Sequence, residues 1–190
     1  MRRGRNGAAR AGSAVRATAS AMVILGACNG GGQSIAEGPW DFKVDTVRSG
    51  TAPEARTAWL RSVGKEGPEG EPPARDVILS FDCRADHVGV TILTEQALRQ
   101  GSVEIEVAVD AEPARRLDGF AGTTPTGGQV ALTLPQDSVL ALLSGHQRAT
   151  IHYADGAGSS RTAAVFPVAG VERLRAPFLA ACSAERGATR

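Results

Sequence analysis

Three cysteines, three histidines and one pair of strand carboxylates are the side chains of this sequence best placed to do chemistry. Cys28 carries the clearest signal, because Leu25-Gly26-Ala27 stands directly before it. Small residues at positions 26 and 27 admit a signal peptidase to the backbone. A thiol that becomes the first residue of the mature chain then accepts a diacylglycerol. Each buried methylene of an acyl chain, palmitate included, contributes about 0.8 kcal/mol, so several chains together hold a protein firmly on a bilayer. The competing reading is an ordinary secreted protein with an Ala-x-Ala-type cleavage site and an incidental cysteine.

With Cys28 assigned to lipid, Cys83 and Cys182 remain as an even pair. In an oxidising compartment an even remainder predicts a disulfide rather than two buried thiols. The two are 99 residues apart, and closing a loop of that size contributes about 4 to 5 kcal/mol in the chain-entropy account.

The other groups carry less. His87 falls in an expected hairpin turn, and His146 and His152 flank one strand start. No His-Glu-x-x-His motif occurs, and Cys83 has no neighbouring cysteine at zinc spacing. Metal ligation by His146 and His152 is therefore the weaker reading beside ordinary surface histidines. Glu104 and Glu106 share a strand face, as paired carboxylates for acid–base work would, but no histidine or ligand stands at a matching spacing. A solvated face accounts for them better. There is no Gly-x-Ser-x-Gly elbow and no phosphate loop. No catalytic residue, metal or cofactor is assigned.

The segment ahead of Cys28 fits an export signal. Arg2, Arg3, Arg5, Arg10 and Arg16 appear with no acid, followed by an apolar run from Ala17 to Ala27. That run is shorter than the roughly 20 residues of a spanning helix and suits the apolar region of a signal peptide. Twin-arginine export is disfavoured, because the apolar residues it wants after Arg2-Arg3 are missing. Asn29 follows the cysteine, where an aspartate commonly means inner-membrane retention, so the outer membrane is favoured. The organisation expected is a lipoprotein signal peptide at 1–27, a flexible tether at 28–38 containing Gly30-Gly31-Gly32, a single periplasmic domain at 39–183 and a polar tail at 184–190.

The formal charge of +1 over 190 residues reflects that leader. Without its five arginines, 16 basic residues face 20 acidic ones, a net charge of −4. That argues against a nucleic-acid partner, which demands a basic surface.

The mature chain reads as short strands separated by turn signals. Trp40–Val47 alternates apolar and polar residues, and Thr57–Val63 around Trp59 makes a second short strand. Gly64–Pro73, rich in Gly, Pro and Glu, is expected as an exposed loop that buries nothing. Asp76–Cys83 is apolar enough for a central strand, Arg84–His87 turns, and Val88–Thr94 returns antiparallel. Ser102–Asp110 places Val103, Ile105, Val107 and Val109 inward. Gln129–Leu134, Gln147–Tyr153 and Arg161–Val168 complete the strands. Pro135 opens a short helix to Leu143 with Gly145 as its cap. A second helix runs from Val171 to about Ala181, with Pro177 as a break or restart. The fold class expected is a mainly antiparallel β-sandwich or curled sheet with two short helices, one C-terminal.

In this order the motifs resemble those of the VasI-like proteins encoded with type VI secretion systems. The resemblance spans Trp40 to Cys182. It comprises Trp40-Asp41-Phe42, the strand Leu79-Ser80-Phe81-Asp82-Cys83-Arg84, the strand end Val107-Ala108-Val109-Asp110, and the strand–helix segment closing at Leu142-Leu143-Ser144-Gly145. Tyr153-Ala154-Asp155-Gly156, the Ala164–Gly170 stretch and a helix ending in Cys182 follow. The chain departs from that family at Ala108, where an arginine is usual, at Phe120, where a tryptophan is usual, and at Ser183-Ala184, where a tryptophan commonly follows the cysteine. The resemblance implies a periplasmic accessory role and carries over no catalytic residue.

The function expected is a non-enzymatic, membrane-anchored module that binds an envelope protein, with Trp40, Trp59 and the Glu66–Pro73 stretch as candidate contact surfaces. Core packing is the competing role for both tryptophans. A lipoprotein that binds a small molecule or glycan, and a cell-envelope hydrolase, are the alternatives from other classes.

Overall fold

The structure, a computed structural model, describes residues 33–47, 55–84, 87–154 and 161–188. The segment read as a signal peptide, Cys28, and residues 85–86 of the expected Arg84–His87 turn lie outside them. Among the described residues, ten strands and two helices follow in chain order. The strands are β1 (Gln33–Glu37), β2 (Trp40–Val47), β3 (Ala55–Pro68), β4 (Arg75–Arg84), β5 (His87–Thr94), β6 (Gly101–Val109), β7 (Arg115–Thr124) and β8 (Gly127–Leu132). Helix α1 (Gln136–Leu143), β9 (Arg148–Ala154), β10 (Arg161–Pro167) and helix α2 (Val171–Ala188) complete the chain.

The strands form neither a sandwich nor an open curled sheet. They run β3-β10-β9-β6-β7-β8-β5-β4, and β4 pairs again with β3, closing an eight-stranded antiparallel barrel. The reason lies in β3. It is 14 residues long rather than the seven expected, and one of its edges serves two partners. Residues 55–62 pair with β2 and residues 65–68 pair with β10, while the other edge pairs with β4. One strand therefore joins both ends of the sheet, which removes the open edges that a curled sheet would leave. β1 and β2 remain outside the ring as a two-stranded extension.

Gly64 marks the fork. A Cβ there would overlap the carbonyl of Val165 and come within 2.6 Å of the Phe166 ring, so only glycine lets β10 approach where β2 leaves off. The fork is tied by Ser62 Oγ donating to the Pro167 carbonyl at 2.9 Å and Trp40 Nε1 donating to the Val168 carbonyl at 3.2 Å.

Alternation decides which side chains fill the ring. Leu60, Phe81 and Val90 align across β3, β4 and β5, as do Ile151, Val107 and Ala164 across β9, β6 and β10, and all are buried. Outward positions carry Lys65, Asp76, Glu104, Arg116 and Arg161, all at least partly exposed. An apolar inside and a charged outside is the reverse of a membrane-spanning barrel.

Both helices follow strands that finish at the same end of the barrel, so the topology stacks them there. Val139, Leu140 and Leu143 of α1 are buried. Phe178 of α2 packs edge-on against Phe42 and Phe81, with centroids 6.2 and 6.3 Å apart. Pro177 does not break α2, which continues to Ala188. Pro177 faces outward while Leu174, Phe178 and Cys182 are buried, so packing on both sides of the proline holds one axis. Two expected boundaries shift accordingly. Gln33–Glu37, read as tether, pairs with β2, and the expected tail is helical from Ala184 as far as Ala188.

Candidate functional site

At the helical end, Cys83 of β4 and Cys182 of α2 meet as a disulfide with Cα atoms 5.5 Å apart. Beside them Gln136, the first residue of α1, is buried. Its Nε2 donates to the carbonyls of Asp82 at 2.6 Å and Gly89 at 2.8 Å, and its Oε1 lies 3.7 and 3.9 Å from the two sulfurs. One amide thus joins the β4–β5 hairpin to both helices. The sequence pattern indicated the bridge through cysteine parity but offered nothing to mark Gln136.

At the opposite end the barrel encloses a carboxylate. Glu66 is 0% exposed, although it lies in the stretch expected to be a loop that buries nothing. Hydroxyls of Thr94 and Tyr153 each donate to it at 2.5 Å, and the Arg75 guanidinium stands 3.7 Å away at the rim. Arg75 also donates to Gln96 Oε1 at 2.9 Å, and the Gln96 N–H donates to Thr94 Oγ1. Buried charge is tolerated only with such partners. Burial raises the Tyr153 phenol well above its ordinary pKa, and the Glu66 carboxylate beside it adds to the shift.

The two tryptophans separate. Trp40 is 1% exposed, and its ring packs tilted against Phe81 with centroids 6.0 Å apart. It packs the core and presents no contact surface, which corrects that expectation. The half-exposed Trp59 lies on the outer wall with Arg61 Cζ 4.6 Å from its ring centroid. Arg61 also donates to Ser80 Oγ at 3.1 Å and lies 3.6 Å from Asp82.

The histidines do not converge. His146 Nδ1 lies 3.1 Å from Asp110 Oδ2, and its Nε2 lies 3.8 Å from Glu112. His152 Nδ1 is 3.3 Å from Glu69 without hydrogen-bond geometry. Among the described residues no cluster of His, Cys, Asp and Glu has the geometry to hold a metal. Partial desolvation works to raise the Asp110 carboxyl, but N–H groups of Gln147 and Arg148 and the His146 ring outweigh it and hold it below the usual range. Asp110 has φ +47°, and these bonds fix it in that turn. Glu106 is held low chiefly by its bond from Arg161 at 2.7 Å.

Two surface grooves accompany these groups. One, of about 280 Å³, is lined by Glu112, Arg115, Ser138, Ala141, Leu142 and His146. The other, of about 390 Å³, lies on the β6–β7–β8 wall beside Phe120, Glu104 and Asp118. Phe120 is 45% exposed. Residues 115–124 carry no clear strand pattern in the sequence, so this surface has no place in the fold expected from it.

The class defined by these features is a closed antiparallel barrel, filled by side chains and stapled to a helical cap. No family model, no curated protein and no solved structure matches the chain.

Proposed function

We propose that this chain is a lipid-anchored, non-enzymatic binding module on the periplasmic side of a membrane, the outer membrane in preference to the inner, which engages an envelope protein. The observation that carries the reading is the lipobox Leu25–Cys28 ahead of a domain whose two other cysteines pair with each other. Export into an oxidising compartment accounts for both features at once. The barrel interior supports exterior binding, because buried side chains such as Phe81, Ile105 and Tyr153 occupy the space where a lumenal ligand would lie. The VasI-like motifs point to a secretion-associated assembly and rest on their order alone.

The small-ligand reading has one observation in its favour, the groove where Arg115, Ser138 and His146 face one space. Its polar lining suits a sugar or a small anion.

Labelled palmitate supplied to cells is expected in the wild-type chain and absent from Cys28→Ser. Membrane fractionation should place wild type with the outer membrane. Crosslinking of the anchored chain should then capture an envelope protein that the Cys28→Ser form captures less. Palmitate labelling of both forms alike, or capture of nothing by either, would overturn the proposal.

A further inference from the structure

Two walls of the barrel carry the same chemical set. On β3–β4, Trp59 stands opposite Asp82 and Arg61 opposite Ser80. An aromatic ring, a carboxylate and a hydroxyl there surround one guanidinium, with Arg61 Cζ 4.6 Å from the ring centroid and 3.6 Å separating its nitrogen from Asp82. On β6–β7, Phe120 stands opposite Ser102 and Glu104 opposite Asp118. Ring, carboxylates and hydroxyl are again on adjacent rungs, but no guanidinium lies over the ring among the described residues.

The second wall also carries a local cost. Like charges directly opposite on neighbouring strands destabilise a sheet, and Glu104 faces Asp118. The nearest cation, Arg116, does not cancel this. It lies 3.8 Å from Glu104 and 3.5 Å from Glu106, so one guanidinium is divided between two carboxylates. Asp118 has no ion pair within 4 Å among the described residues. The groove between them, about 390 Å³, leaves an aromatic face and negative charge open to solvent.

We propose that Phe120, Glu104, Asp118 and Ser102 form a receptor for an arginine side chain presented by a partner protein. This inference rests on the protein-binding reading above and names the surface and the chemistry of the partner. An arginine lays its aliphatic stem and flat guanidinium on the phenyl ring while its N–H groups reach the carboxylates. The incoming cation also relieves the repulsion across the β6–β7 rung, so binding and local stability are coupled.

The test is an amide-shift titration of the full chain, in detergent, with the peptide Ac-Ala-Arg-Leu-Arg-Ala-NH2. Saturable shifts are expected at Ser102, Glu104, Asp118 and Phe120. The peptide with citrulline in place of arginine should bind at least about tenfold more weakly, as should the arginine peptide to Phe120→Ala or Asp118→Asn. Asp118→Asn is also expected to be no less stable than wild type, which separates lost binding from lost folding. Shifts absent from this wall, equal affinity for the citrulline peptide, or destabilisation by Asp118→Asn would each overturn the receptor. If Phe120→Ala still captures the same envelope protein, the surface is wrong and the binding-module reading stands. If the anchored wild-type chain captures none, that reading itself fails.

Discussion

Tyr153 donates its phenolic hydrogen to Glu66 across 2.5 Å inside the barrel, joining strands whose residues are 87 positions apart. Tyr153 is the single tyrosine of the chain, so tyrosinate absorbance reports on it alone. Burial, and then the adjacent carboxylate, raise its pKa above the ordinary 10.0. A folded-state pKa above the unfolded value means that this group's contribution to stability is fully present below pH 10 or so, and declines above it as the unfolded chain ionises. An alkaline titration should therefore show no gradual tyrosinate signal near pH 10. The signal should appear in one step together with unfolding. A smooth ionisation near pH 10 in folded protein would show the phenol to be open to water.

Removing the acceptor should cost more than removing either donor. Glu66→Ala leaves two buried hydroxyls without their partner and opens a cavity, which predicts a loss of roughly 3 to 5 kcal/mol. Tyr153→Phe removes one bond to a charged group and should cost about 1.5 to 3 kcal/mol. Urea unfolding of the two variants and of their combination measures both. The double variant should lose less than the sum, because the residues share one interaction.

The two tryptophans should report opposite environments. Trp40→Ala empties a core position and leaves the Val168 carbonyl without its donor, for an expected loss of about 3 to 5 kcal/mol. Trp59→Ala removes a wall residue held by Arg61 and should cost about 1 kcal/mol or less. In Trp40→Phe, the remaining Trp59 emission should be quenched by iodide. In Trp59→Phe, the remaining Trp40 emission should resist it.

What the sequence made legible divides along physical lines. β6 was readable because Val103, Ile105, Val107 and Val109 alternate with polar residues, a local pattern of period two. β7 was not, because Leu117, Gly119 and Ala121 on its inward side include a glycine. That glycine is required, since a Cβ would come within 2.8 Å of the Ala131 carbonyl, yet it erases the apolar signal. Glu66 was invisible for another reason. A glutamate among glycines and prolines reads as solvated, and its burial depends on Thr94 and Tyr153 from β5 and β9. Closure was missed likewise, since nothing local to Ala55–Pro68 tells that one edge serves two strands. The disulfide was legible because parity is a property of the whole chain.

Glu106 offers a surface test of pH dependence. Its hydrogen bond from Arg161 holds the carboxyl below its ordinary 4.5. A depressed folded-state pKa stabilises above the unfolded value and loses that contribution as pH falls through the folded one. Carbon-detected titration should find Glu106 ionising below the usual glutamate range in wild type. Arg161→Gln should move it back up, with little change in the unfolding midpoint at neutral pH, since the pair sits at the partly exposed surface where water screens it.

The disulfide should matter more for the helical cap than for the ring. Cys83 and Cys182 tie the end of β4 to α2, whereas the eight ring strands are joined by their own hydrogen-bond ladders. The link closes a chain separation of 99 residues, so its loss enlarges the conformational freedom of the unfolded state, at a cost of about 2 to 5 kcal/mol. In the folded state Phe178 still packs on Phe42 and Phe81, which should keep α2 docked though more easily released. Reduction, or the Cys83→Ala/Cys182→Ala pair, should therefore lower the urea midpoint and speed amide exchange along α2 before it does so along β6 or β9. If the midpoint is the same with and without reductant, the bridge is absent from the protein in solution. If β6 and β9 exchange as fast as α2 once it is cut, cap and barrel unfold as one unit.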